Sequence, residues 1–73
     1  MSKETESLGE ALPKEQARVR KLIVRYRDPM LGGSGEFAAR MMETSLQMAD
    51  KAVMSGDLVA MINAYQDLKE YHE

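Results

Sequence analysis

Seventy-three residues carry ten Lys and Arg against twelve Asp and Glu, for a formal net charge of −2, with 44% hydrophobic side chains and no cysteine. A chain this short fits one small domain that buries a smaller share of its surface than larger domains do. Without cysteine it has neither disulfides nor thiolate metal sites, so tight helix packing or self-association is the expected source of stability.

No run approaches the roughly 20 apolar residues that span a bilayer, and the opening MSKETESLGEALP is too polar for a secretory core. A cytoplasmic location without membrane contact is expected. Charge is unevenly placed. Lys14, Arg18, Arg20, Lys21, Arg25 and Arg27 fall in one stretch opposed only by Glu15, and the later part of the chain is acidic.

Residues 1–11 are polar, carry Gly9 and lack sustained periodicity, which predicts a disordered tail ahead of a single helical domain over residues 12–73. Pro13 suits the first turn of a helix, with Leu12 before it as a staple. Val19, Leu22, Ile23, Tyr26 and Met30 then repeat at three and four, placing a first helix over about residues 13–27. Asp28-Pro29 ends it, because proline disfavours the helical region for its predecessor. Met30 to Gly35 reads as a flexible connection. Ser34 is the expected cap of a second helix over about residues 35–54, with Glu36 at the positive end of its dipole. The apolar set of that helix includes Phe37, Met41, Met42, Leu46, Met48, Ala49 and Val53, which is wider than one stripe. Ser55-Gly56-Asp57 combines a left-handed glycine with a capping aspartate. A third helix over about residues 58–71 places Leu58, Met61, Ile62, Tyr65 and Leu68 on one face. The expected architecture is all-α: helices two and three form a tight antiparallel hairpin, and helix one packs across it.

Ala52, Gly56-Asp57, Ala60, Ala64 and Tyr65 resemble the turn between the paired helices of a tetratricopeptide-type unit. The resemblance covers one unit and implies close helix approach in a hairpin. Over most of the chain, LPKEQARVRKLIVRYR, GEFAARMMETSLQMADKAV and SGDLVAMINAYQDLKEY resemble short uncharacterised proteins encoded in phages and prophages of proteobacteria. That likeness implies an accessory or host-takeover factor acting inside the host cell and transfers no functional residue.

Lys14, Arg18, Lys21 and Arg25 follow one another at four, three and four, so a helix displays them together. Such a face neutralises phosphates, or it pairs with acidic helices of this chain or of a second subunit. The acidic total and the lack of interleaved aromatic residues favour pairing. Met41 and Met42 are the other candidate contacts, since methionine suits adaptable surfaces. Adjacent helical positions point about 100° apart, so burying both requires two apolar neighbours, one of which can be another subunit. Gly32-Gly33-Ser34-Gly35 lacks the Gly-Lys-Ser/Thr ending of a P-loop. His72 has no second histidine or cysteine to share a metal or a triad, and Glu36, Glu43 and Asp50 at seven-residue spacing form a plain outer face. The expectation is a non-enzymatic protein-interaction module, without metal or cofactor and with a tendency to homo-oligomerise. The alternative is nucleic-acid binding through the basic face of helix one.

Overall fold

A computed structural model describes residues 7–72, whose regular structure is entirely helical. Helix α1 runs Leu8–Tyr26, α2 Glu36–Ser55 and α3 Leu58–Lys69, with a single 3-10 turn at Pro29–Leu31 between the first two.

Helix α1 begins five residues earlier than proline placement suggests. Ser7 is its extended N-cap, and the Ser7 N–H donates to the Glu10 carboxylate at 3.4 Å, one half of a capping box. Pro13 therefore sits inside the helix, where it removes one bond to the carbonyl of the preceding turn. Leu12 is no staple outside the helix; it is a fully buried member of the core. The capping signal and this burial outweigh one missing bond. Part of the expected tail, residues 7–11, is thus structured, and residues 1–6 lie outside the described residues.

The reversal between α1 and α2 is ordered. Asp28 accepts the Met30 N–H at 2.9 Å, and the main chain bonds Leu31 to Asp28, Gly32 to Pro29 and Ser34 to Leu31. Met30, expected on the first apolar stripe, is 90% exposed because the helix has ended before it. Gly35, and not Ser34, is the N-cap of α2, and it has no side-chain bond. The residue at this position is set by crowding: Gly35 is buried, and a Cβ there would lie 3.0 Å from the Tyr26 carbonyl carbon and closer still to its oxygen.

The second turn forms as its residues demand. Gly56 adopts φ 70° and donates to the Ala52 and Val53 carbonyls, and Asp57 accepts the Ala60 N–H at 3.1 Å. Helix α3 closes at Lys69, two residues short of the sequence estimate.

Leu12, Val19, Leu22 and Ile23 of α1 meet Ala39, Met42, Leu46 and Ala49 of α2 and Ala64 and Leu68 of α3 in one core. Alanines on the facing helices allow close approach and leave the branched residues of α1 to fill the space between. Arg27 reaches Glu36 and Glu43 at one end, while Gln16 reaches Asp50 toward the other, so α1 and α2 run antiparallel. The hairpin sets α3 antiparallel to α2, hence parallel to α1. The result is a three-helix bundle in which α1 covers one face of the α2–α3 hairpin.

Gly35→Ala is expected to lower the unfolding free energy by about 1–3 kcal/mol, the range for overpacking a filled site. Gly56→Ala, which meets open space and carries only backbone strain, should lower it by about 1 kcal/mol. Urea denaturation of the two variants measures the ordering, and a smaller effect at Gly35 would contradict the crowding argument.

Candidate interaction surfaces

The basic residues of α1 are held largely by this chain's own groups. Arg18 bonds the Glu15 carboxylate through Nε and Nη2 at 3.0 and 2.8 Å, donates from Nη1 to the Tyr71 carbonyl at 2.8 Å and from Nη2 to the Leu68 carbonyl at 2.9 Å. The last carbonyls of a helix have no partner within it and form its negative end, so the guanidinium caps α3 from a neighbouring helix. Arg20 lies 3.3 Å from Asp50, which also accepts from the Gln16 amide at 2.7 Å. Tyr26 donates its hydroxyl to the His72 carbonyl at 2.6 Å, a second tie between α1 and the C-terminal residues.

Arg27 forks between Glu36 at 3.1 Å and Glu43 at 2.7 Å, and Arg40 shares Glu36 at 3.2 Å. The hydrogen bonds from Arg27 hold both carboxyls below the usual glutamate range, with Arg40 adding to the effect at Glu36. The same bonds raise the already high pKa of Arg27. Glu36 and Glu43, whose seven-residue spacing suggested a plain solvated face, are therefore part of the α1–α2 seam.

Of the four residues at helical spacing on α1, Lys14, Lys21 and Arg25 are exposed and Arg18 is partly covered. Lys14 and Arg25 take part in interactions of their own. Arg18, Lys21 and Arg25 share a cleft of about 320 Å³ with His72, floored by Leu22.

Met41 and Met42 separate sharply. Met42 is 1% exposed and packs in the core, whereas Met41, about 100° round the helix, is 47% exposed. Met41 belongs to a second stripe on α2, formed with Phe37 at 77% exposure and Met48 at 63%. Their spacing of four and seven puts them on one side of the helix, with Thr44 between. On α3, Ala60, Asn63, Ala64 and Asp67 join Met48 around a groove of about 290 Å³. One end is tied by the Tyr71 hydroxyl, which shares a 2.8 Å bond with Ser45 and donates to the Met41 carbonyl at 3.2 Å.

This open face has two unlike edges. Arg40 and Lys51 follow Phe37 and Met48 by one helical turn, on the side away from buried Ser45 and Ala52, and both are exposed. On the other side, exposed Asp67 lines the groove and exposed Glu70 caps the end of α3. A second apolar group, Val53, Met54, Leu58, Val59 and Ile62, is exposed around the hairpin turn. Leu68 is buried as expected, but Leu58 and Ile62, expected on the same face, lie here because the buried side of α3 is centred on Ala64 and Leu68 and turns away from them.

The sequence singles out Met41 and Met42 as contacts but leaves Phe37 and Met48 in one wide apolar set of α2; the four-and-seven spacing that joins them to Met41 is the signal that sets this stripe apart. Among the described residues, no three His, Cys, Asp or Glu side chains are grouped so as to hold a metal ion, and no helix is long and apolar enough to cross a membrane. Comparison with protein-family models, curated proteins and solved structures finds no match.

Arg18→Ala should lower stability by about 1–2 kcal/mol, a charged hydrogen-bond contribution reduced by solvent because the side chain is 37% exposed. Arg18→Lys should recover less than half of it, since an ammonium cannot span both carbonyls; urea melts give the comparison, and full recovery would contradict it.

Lowered carboxyl pKa values in the folded state favour folding above the usual glutamate value of about 4.5, and this contribution is lost as pH falls through the lowered values. Acid titration of the thermal midpoint should therefore show a fall below about pH 4.5 that is shallower in Arg27→Gln, where the unpaired carboxyls return toward their ordinary range. Parallel curves for the two proteins would contradict the assignment.

Proposed function

We propose that this chain is a protein-interaction module whose contact surface is the open face of the α2–α3 hairpin. The observation that carries the reading is the line of exposed Phe37, Met41 and Met48 beside a groove lined by Ala60 and Ala64. Large apolar side chains aligned along one helix keep water ordered around a continuous surface, and burying it against a partner gains roughly 25 cal/mol per Å². Two methionines supply adaptable contacts and the aromatic ring a larger anchor. The groove between two helices, walled by a methionine and lined by alanines, has the form that accepts ridges of another helix.

The cationic face of α1 supports phosphate binding less well. Arg18, Arg20 and Arg27 direct hydrogen bonds at this chain's own carbonyls and carboxylates, and these bonds fix the bundle. The same geometry gives the basic helix a structural purpose: it covers one face of the hairpin and leaves the other for a partner.

A photo-crosslinking amino acid placed at position 48, compared with one at position 21 in the cationic cleft, tests the reading in cells that express the chain. Adducts to protein from position 48 and few from position 21 are expected. Adducts from position 21 alone, or from neither, would overturn it.

A further inference from the structure

We infer that the partner on this face is a second copy of the same chain, related by a two-fold axis running along the groove. The inference rests on the reading of the α2–α3 face as a contact surface and adds its occupant and geometry.

The face is sided. Its α2 edge is basic, with Arg40 and Lys51, and its α3 side is acidic toward the C-terminal end, with Asp67 lining the groove and Glu70 capping the helix; the apolar stripe lies between. Rotation by 180° about an axis parallel to the groove carries each α2 over the partner's α3 at the same level along the bundle. Arg40, level with the C-terminal end of α3, then meets the partner's Glu70 side, and the contact is repeated at the second seam; Lys51, nearer the hairpin turn, adds positive charge to the same edge. The Arg40 side chain is 75% exposed even while paired with Glu36, so its outward donors remain accessible to a carboxylate across the seam.

The same operation matches shapes. Met48 lines the groove level with Ala60 and Ala64, so the axis sets the Met48 side chain over the partner's Ala60 and Ala64. A protruding methionine faces a shallow seat between small residues, and the exchange is reciprocal. An axis across the groove would instead lay α2 on α2 and α3 on α3, placing basic edge on basic edge and acidic on acidic. Charge and shape therefore select one of the two symmetric arrangements. A surface that answers its own charge pattern and its own knob fits a copy of itself better than an unrelated partner, whose edges would need to match by coincidence.

The mass of the purified full chain, followed by light scattering across a concentration series, tests this. Wild type is expected to reach twice the 8.2 kDa chain mass. Met48→Glu should stay at the single-chain mass with an unchanged helical circular dichroism spectrum. Arg40→Glu with Lys51→Glu in one chain makes both edges acidic, and Asp67→Lys with Glu70→Lys in another makes both basic. Each should be monomeric alone, and the two should form a mixed dimer when combined. Added salt should weaken the wild-type dimer.

A dimer that tightens with salt, survives Met48→Glu, or fails to re-form in the charge-reversed mixture overturns the arrangement. A wild-type chain that remains monomeric while position 48 still crosslinks to a different protein overturns the second copy and leaves the face as a contact surface. A monomer with no adduct from position 48 overturns both.

Discussion

Helix α2 carries large apolar side chains around more of its circumference than two neighbouring helices can cover. Met42, Leu46 and Ala49 face α1 and α3, while Phe37, Met41 and Met48 face away. Helices pack at axial separations of about 8–10 Å, so a hairpin with one helix laid across it has one covered face and one open face. Among the described residues α1 is the only covering helix, and the second face of the hairpin has no helix laid over it. The proposed contact surface rests on that inequality, and the proposed dimer adds the charges that flank it.

Which face α1 covers is decided by polar groups as much as by the core. Apolar residues on α1 would pack against either side of a helical pair, but Arg27 has carboxylates only on the Glu36 and Glu43 side of α2, and Arg18 meets the Leu68 carbonyl of α3 and the Tyr71 carbonyl just beyond it. Gly35 permits the reversal to close tightly against Tyr26, so the two helices start from a fixed crossing. The basic helix and the acidic remainder are thus complementary halves of one bundle. Each exposed pair contributes modestly on its own, and the combined effect is orientation.

Much of this is legible in the sequence. Gly56-Asp57 carries its own turn chemistry, and the α2–α3 hairpin follows from local residues. The stripe of Val19, Leu22 and Ile23 is a three-and-four repeat whose burial any helical partner would satisfy. The start of α1 was misplaced because Pro13 is a strong local signal, whereas Ser7 and Glu10 act together and gain force only once Leu12 is buried. Ser34 failed as a cap for a non-local reason: the chain must approach Tyr26, and the residue without a side chain takes the position. Likewise the role of Arg18 depends on carbonyls about fifty positions away, which no spacing within α1 can reveal. Met41 and Met42 show the same limit. Periodicity separated their directions, and packing decided which of them belongs to the core.

The central claim is that the open α2–α3 face is covered in solution. Methyl relaxation by a soluble paramagnetic agent reads this directly, because the chain supplies its own controls: Met30 and Met54 are 90% and 86% exposed and lie off the face. At concentrations where the chain associates, the methyl groups of Met41 and Met48, 47% and 63% exposed in the single chain, should be protected while those of Met30 and Met54 relax strongly. A Met48 methyl relaxed as fast as that of Met30 at every concentration would contradict the account.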